Sequence, residues 1–262
     1  MLTLSTLMWY DGTVDPKRPY HHGGLRRTLL DAALALIAEA GPQGFTLREV
    51  ARRAGVSHNA PYRHFRDKDE LLAAVATEGF DKLTRRIQRA TSRAADPLAR
   101  FQQSGLGYVE FALASPQHYT VMFDVRESGP ASSDLAAASA RAFGTLIAAV
   151  EECRSAGVVA CENTMSGALY AWALAHGIAK LAIAGRLPWR SRAAILRFAA
   201  SVFEQSYRGM APRPAGVTIT KRGGRLQGHA ASEAVKESAP HPKKSQAAGS
   251  PGGPGERLGL YM

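Results

Sequence analysis

The sequence predicts an all-α fold, and three observations support this prediction. Apolar residues recur at helical spacing along most of the chain from Leu25 to Arg208. Thr46 and Asp67 are each followed three residues later by Glu, which is the spacing of a helix-capping box. No stretch shows the apolar–polar alternation that is typical of a half-buried strand. We therefore expect a small three-helix domain followed by an antiparallel helical bundle.

The first three helices have the spacing of a helix-turn-helix. We predict helix 1 from about Leu25 to Ala40, and a second helix that Thr46 caps and Gly55 ends. Ser57 then caps a short third helix that runs to Phe65. Two short helices joined by a glycine-containing turn describe a helix-turn-helix, whose second helix enters the DNA major groove. The alternative is a helical hairpin on any surface; basic residues, two caps and the glycine together favour the DNA-binding motif.

The rest of the chain is also predicted to be helical. Asp67 opens a long helix toward Ala95, and Asp96-Pro97 breaks it. One later segment, residues 165–185, is apolar for about twenty residues, which is long enough to span a bilayer. However, it contains His176 and Lys180 and is rich in Ala and Gly, so we favour a core or dimer-interface helix over a membrane span. The predicted helices after the break lie near residues 98–114, 116–124, 134–156, 162–185 and 189–208.

Composition limits the classes of partner and the compartment. The formal net charge of +11 favours an anionic partner, although charge alone does not separate nucleic acid from an acidic membrane surface. Residues 211–262 hold eight Lys or Arg against three Glu and few large apolar residues, which is typical of a disordered basic tail. Two cysteines are too few for a disulfide framework, so we expect a cytoplasmic protein. The N-terminal residues lack the features of a signal peptide. The predicted organisation is a flexible arm at 1–18, a DNA-binding domain at 19–80, a helical C-terminal domain at 81–209 and the tail at 210–262.

The N-terminal part resembles a known family. The run from Tyr20 to Ala76 contains an N-terminal helix ending in Ala40-Gly41, the block FTLREVARRAGVS, and the signature Tyr62-Arg63-His64-Phe65 followed by Lys68. This combination resembles the DNA-binding domain of the tetracycline-repressor (TetR) family. The resemblance implies a homodimeric transcriptional repressor that binds double-stranded DNA at a palindromic operator. It also implies release by a small-molecule effector, which we expect to be hydrophobic.

The motif provides candidate DNA-binding residues. His58, Asn59 and Arg63 are candidates for base edges, because Arg can bind guanine and Asn adenine through two hydrogen bonds. Pro61 stands where the family often has a larger aliphatic residue, and proline is expected to tighten or tilt the first turn of the recognition helix. The resemblance implies that phosphates are bound by Thr46, Ser57, Tyr62, His64 and Lys68. Ala60 is also included in the predicted DNA-binding residues.

The C-terminal half resembles a subgroup of the same family. The similarity lies in YAWALAHGIAKLAIAG, which contains Trp172, His176 and Gly177, and in residues 115–119 and 122–123 upstream. Trp172 and His176 share a helix face because they are four residues apart. They either take part in ligand binding or form a core aromatic with a satisfied histidine. Predicted pocket walls are Phe111, Met122, Phe123 and Trp172, with Tyr119 and His176 as polar groups.

Other functions were weighed against this one. An activator or a nucleoid-type DNA binder is the alternative among DNA-binding proteins. An enzyme would need a nucleophile with its base, a metal set or a phosphate loop, and the sequence contains neither G-x-S-x-G nor a P-loop. We therefore predict no catalytic residues and no cofactor. The pair His21-His22 lacks a third ligand at metal spacing, so no metal site is predicted. A run of basic residues precedes and enters helix 1. It either binds DNA phosphates or is simply solvated, and it consists of Lys17, Arg18, His21, His22, Arg26 and Arg27.

Overall fold

A computed structural model describes residues 22–124 and 132–210, and within them the protein consists of eight α-helices and one 3-10 turn without a strand. The predicted all-α fold class is therefore confirmed. Each predicted helix outside residues 57–65 is present, and its ends lie within a few residues of the predicted ones. The helices are α1 (His22–Ala40), α2 (Leu47–Arg53), α3 (Lys68–Thr91), α4 (Pro97–Ala114), α5 (Pro116–Asp124), α6 (Ser133–Ser155), α7 (Thr164–Ile183) and α8 (Arg192–Met210).

Local signals explain where the helices start and end. The Asp67 carboxylate accepts the Glu70 N–H at 2.8 Å and opens α3, and Asp96 accepts the Ala99 N–H at 2.8 Å and opens α4. Each bond satisfies a backbone donor that has no partner within the helix. Gly55, at φ +68°, ends the turn after α2 in the left-handed region that glycine adopts without steric cost. These signals lie within a few residues of each terminus, which is why the sequence predicts them.

Helix α3 is shared by the two predicted domains. It packs against α1 and also against α4, α5 and α6. Its residues Leu71, Val75 and Phe80 are buried in one hydrophobic core that also contains Leu29 of α1 and Tyr119 of α5. The predicted boundary at residues 80/81 falls inside this helix, so the division into two domains stays a prediction.

Helix α7 has one buried and one exposed face. Ala168, Ala175 and Ala179 are fully buried against the neighbouring helices, and their small side chains permit close packing. The opposite face exposes Met165 and Leu181 together with other apolar residues. In the part of the chain that the structure describes, no helix is both long enough and apolar enough to cross a membrane. The preference for a core or interface helix over a membrane span agrees with this finding.

Several sequence-based expectations fall outside the described residues. These are the flexible arm, the basic tail from residue 211, and the positions Lys17, Arg18 and His21. The side chain of His22 is likewise not described. Within residues 22–124 and 132–210, no group of three or more His, Cys, Asp or Glu side chains is arranged to hold a metal ion.

Candidate functional site

The capping box of α2 positions the first half of the motif. The Thr46 hydroxyl accepts the Glu49 N–H at 3.3 Å, and the Glu49 carboxylate accepts the Thr46 N–H at 2.7 Å. Arg53 pairs with Glu39 of α1 at 2.6 Å, and Val50 is fully buried. Helix α2 is therefore held at its start by two reciprocal hydrogen bonds and at its end by an ion pair with α1.

The prediction of a continuous helix over Ser57–Phe65 is wrong. Only Pro61–Arg63 forms a helical turn, and it is of the 3-10 type. The Ala60 N–H bonds to the Ser57 carbonyl at 2.9 Å, and the His64 N–H bonds to the Pro61 carbonyl at 2.9 Å, so both bonds span three residues. Pro61 has no N–H with which to bond the Ser57 carbonyl in the α pattern. The expected tightening at proline thus covers Ser57–His64, and the segment ends with an α-type bond from the Phe65 N–H to the Pro61 carbonyl at 2.9 Å.

The candidate DNA-binding residues differ in exposure. Six of them are exposed: Thr46, Ser57, His58, Asn59, Tyr62 and Arg63. His64 and Lys68 are half-buried. Ala60 is buried in the hydrophobic core, so its side chain does not face outward with the others and acts only by placing its neighbours. Phe65, also buried, anchors the end of this segment, whereas Tyr62 is 51% exposed and does not.

Lys68 is held in place at the start of α3. Its ammonium donates to the Gln43 carbonyl at 3.1 Å and lies 4.6 Å from the centre of the Phe45 ring. Partial burial lowers the pKa of this ammonium below its ordinary value. An ammonium has three donors, so the bond to Gln43 leaves donors for an anion.

Arg27 lies on the surface, with its side chain 48% exposed, but its guanidinium pairs with two carboxylates. Its guanidinium bonds Asp31 on the same helix and both Glu78 carboxylate oxygens at 2.8 Å. Arg26 places its guanidinium 5.4 Å from the centre of the Phe65 ring. Of the described members of the basic run, Arg27 is therefore engaged in ion pairs at the surface.

Glu78 is the centre of an ion network that connects α1, α3 and α5. Besides Arg27 it pairs with Lys82 at 2.7 Å and lies 3.4 Å from Nε2 of the buried His118. Burial alone would raise the pKa of Glu78, but hydrogen bonds from Arg27 and Lys82 outweigh it and lower the pKa to about 2. Burial and the charge of Lys82 lower the pKa of His118. We call Arg27, Glu78, Lys82 and His118 the Glu78 network.

The structure brings four of the six candidate ligand residues together. Tyr119, Phe123, Trp172 and His176 belong to one aromatic cluster. Phe111 and Met122 are buried in the core, and Met122 packs against Gly79 of α3. Neither of these two has a ring contact with the cluster among the described residues. The full aromatic cluster consists of Phe80, Tyr108, Tyr119, Phe123, Phe143, Trp172 and His176.

Two tyrosine hydroxyls meet one histidine nitrogen inside this cluster. Nδ1 of His176 lies 3.0 Å from the Tyr108 hydroxyl and 2.9 Å from the Tyr119 hydroxyl. Burial raises the pKa of Tyr108 to about 12, so its hydroxyl keeps its proton. Sequence reasoning missed Tyr108 and Phe143, because nothing in their spacing separates ring partners from other apolar residues of α4 and α6. The hydrogen bonds of His176 agree with both sequence-based alternatives, a ligand group and a core histidine.

The exposed face of α7 is an apolar stripe. Met165, Leu169, Ala173 and Leu181 are exposed and follow one another at intervals of four or eight residues. A Cβ atom built on Gly177, which completes the interval of four, meets no atom within 4 Å. Exposed Tyr170 borders the stripe. We call residues 165, 169, 173, 177 and 181 the α7 stripe.

Two segments of the chain match known protein families. Residues 29–75 match the family described as bacterial regulatory proteins, tetR family, and residues 101–203 match the tetracyclin repressor-like C-terminal domain. A structure of a protein with unknown function from Rhodococcus sp. RHA1 is 37% identical and has a TM-score of 0.64. That match covers 75% of this chain and 100% of the other.

More distant structures share the fold. A bacterial regulatory protein in the tetR family from Rhodococcus RHA1 is 20% identical, with 72% of this chain and 98% of the other covered and a TM-score of 0.61. The transcriptional regulator FadR from Bacillus subtilis, in complex with stearoyl-CoA, is 15% identical, with 70% and 98% covered and a TM-score of 0.60. Both are similar to this chain in fold.

Proposed function

Because the chain belongs to the TetR family of bacterial transcriptional regulators, we propose that it is a homodimeric repressor which binds a palindromic operator and leaves it when a small hydrophobic effector binds. The observation that carries this proposal is the set of exposed polar side chains in the segment Ser57–Arg63, which lies between the capped helix α2 and the buried ring of Phe65. An exposed polar loop on a rigid base is suited to contact base edges.

The DNA contacts divide into two classes. We assign base edges to His58, Asn59 and Arg63, whose exposed side chains have the donors and acceptors that major-groove recognition requires. We assign phosphates to Ser57, Tyr62, His64 and Lys68, whose contacts fix the register on the duplex without reading sequence.

Thr46 is a weaker phosphate candidate than the sequence suggests. Its hydroxyl and its N–H both bond the Glu49 carboxylate, at 3.0 and 2.7 Å. A phosphate at this position would have to replace or approach a carboxylate of the same charge. We therefore expect Thr46 to act mainly as the cap of α2.

The α7 stripe supports a second copy of the chain as the partner. Contiguous exposed apolar surface on a protein usually marks an interaction site. The open space at Gly177 allows a second helix to approach closely. A dimer would also present two copies of the segment Ser57–Arg63 to the two half-sites of a palindrome, which is the geometry of dimeric helix-turn-helix proteins.

The dimer is tested by a matched pair of glycine substitutions. A Cβ atom built on Gly177 or on Gly144 of α6 meets no atom within 4 Å in the described part of one protomer, so we expect both Gly→Leu variants to fold. We expect Gly177→Leu to shift sedimentation from dimer to monomer, whereas Gly144→Leu stays dimeric. Equal sedimentation of the two variants would place the interface elsewhere.

The aromatic cluster supports a hydrophobic effector. Ligand sites are mostly apolar with a few placed polar groups, and the rings around Tyr108, Tyr119 and His176 have this composition. The same fold in FadR from Bacillus subtilis holds stearoyl-CoA, so the fold is compatible with a ligand that has a large apolar part. An effector shifts the regulator only if it binds the two arrangements of the protein unequally.

The operator is tested by sequencing genomic DNA that the full-length protein captures, followed by footprinting. We expect protection of a palindrome with half-sites about one helical turn or slightly more apart. Protection of a single asymmetric half-site by a monomer would refute the proposal. Uniform protection without a preferred sequence would instead support a nucleoid-type binder.

A further inference from the structure

We propose that the Phe123 ring occupies the place of an effector ring, and that the effector is an uncharged aromatic molecule with a hydrogen-bonding group. This inference rests on the proposed function, because it names the class of molecule that the regulator senses. It starts from the position of Phe123 within the aromatic cluster.

Phe123 is surrounded by five other rings. Its ring centre lies 4.8 Å from that of His176, 4.9 Å from Tyr119, 5.8 Å from Phe80, 6.4 Å from Trp172 and 6.5 Å from Tyr108. These separations are those of favourable edge-to-face and offset pairs. A site that holds one phenyl ring on five sides is shaped for a planar ring of similar size.

Phe123 is also the member of the cluster that can leave most easily. It lies one residue before the end of α5 and is half-buried, whereas Tyr119 is fully buried and hydrogen-bonded to His176. A phenyl side chain makes no hydrogen bond, so its departure leaves no buried polar group without a partner. An incoming aromatic ring would restore the ring contacts that Phe123 gives up.

The polar groups of the cluster define the second part of the ligand. The hydroxyls of Tyr108 and Tyr119 lie 3.4 Å apart, and both are within 3.0 Å of Nδ1 of His176. A hydroxyl both donates and accepts, so a ligand hydroxyl, phenol or carbonyl can join this group. A charged group would lose its hydration among the phenyl, phenol and indole rings, which disfavours ions.

The experiment opens the site and measures the binding of small probes. Phe123→Ala in the full-length protein removes the central ring, and cavities of this kind bind benzene-sized molecules. We measure the binding of phenol, benzene and benzoate by calorimetry. We expect phenol to bind more tightly than benzene by roughly three- to tenfold, which corresponds to about one net hydrogen bond. Wild-type protein should bind phenol more weakly than Phe123→Ala, because Phe123 competes for the site.

Two further variants make the result specific. Phe143→Ala opens space beside Trp172, whose ring contacts Phe143, so it should show a smaller preference for phenol than Phe123→Ala does. Combining Phe123→Ala with Tyr108→Phe and Tyr119→Phe should lower the preference for phenol over benzene, because of these three polar groups only Nδ1 of His176 remains. If Phe123→Ala does not fold, Phe123→Leu with a smaller cavity serves in its place.

The outcomes separate this inference from the proposed function. Failure of folded Phe123→Ala or Phe123→Leu to bind either aromatic probe would overturn it. So would tighter binding of benzoate than of phenol, which would point to an anion recruited by Lys180, one turn beyond His176 on α7. Capture of a palindromic operator by the wild-type protein tests the regulator separately, and it can succeed while the probe experiment fails.

Discussion

Glu78→Gln is expected to destabilise the protein by about 2–3 kcal/mol at neutral pH. Folding lowers the pKa of Glu78 from its ordinary 4.5 to about 2, and each pKa unit is worth about 1.4 kcal/mol, which gives about 3 kcal/mol. The Glu78 side chain is only 17% exposed, so solvent screens little of this interaction. Glutamine keeps one acceptor oxygen for Arg27, which is why we place the loss slightly below the full value.

The dependence on pH distinguishes the carboxylate from a packing effect. Because folding lowers the pKa, the stabilisation is fully present above about pH 4.5 and is lost as the pH falls toward 2. Urea unfolding of wild type and Glu78→Gln between pH 7 and pH 2.5 should therefore show a difference that shrinks below pH 4.5. Repeating the pair in a His118→Gln background removes the titration of the neighbouring imidazole from the comparison.

A matched control is available on the same arginine. Asp31 also pairs with Arg27 but is 55% exposed and lies on the same helix. Asp31→Asn should cost no more than about 0.5 kcal/mol, as is usual for exposed pairs four residues apart. The reasoning is refuted if the two substitutions cost the same, or if the Glu78→Gln difference does not change with pH.

Three further changes test the DNA surface and its support. Arg63→Ala should cost about 1–3 kcal/mol on the operator in gel-shift titrations and relax base preference there; an equal loss on random DNA would contradict base recognition. Lys68→Ala should weaken binding to all DNA sequences alike and reduce the slope of log affinity against log salt concentration by about one. Thr46→Ala should lower stability in urea by about 1 kcal/mol through loss of the cap; if operator affinity falls but stability does not, Thr46 binds phosphate instead.

Much of the fold is predictable because its signals are local. The caps Thr46, Asp67 and Asp96 each act on a backbone donor three residues away, so they can be recognised without tertiary information. Gly55 likewise indicates a left-handed backbone position from local sequence alone, because glycine adopts a positive φ without steric cost. Helix starts and ends therefore follow from the sequence to within a few residues.

The conformation of residues 57–65 is a feature that local sequence signals predict only in part. The effect of Pro61 was expected, but only the structure shows that the helical part of 57–65 is limited to a 3-10 turn over Pro61–Arg63, followed by a single α-type bond from the Phe65 N–H to the Pro61 carbonyl. A missing N–H in a segment this short removes one of very few possible α-type bonds, and the 3-10 pattern then becomes competitive. Base contacts of Arg63 in particular depend on this geometry.

Long-range pairs are the part that spacing cannot predict. Arg27 and Glu78 are 51 residues apart, and Tyr108 and His176 are 68 apart. Sequence reasoning named neither Glu78 as a partner of Arg27 nor Tyr108 as a partner of His176, because each partner lies on a different helix. The candidate ligand site was found through Trp172 and His176, which share one helix face.

The Glu78 network and the aromatic cluster both include residues of α5. His118 belongs to the Glu78 network and the next residue, Tyr119, to the aromatic cluster. Allosteric couplings are typically about 1–3 kcal/mol, and the Glu78 network is worth about the same. A movement of α5 would change the contact between His118 and Glu78, whereas the pairs of Glu78 with Arg27 and Lys82 lie on α1 and α3. Because such a movement must pass through α3 or α1 to reach Ser57–Arg63, we expect Glu78→Gln to alter operator affinity even without an effector.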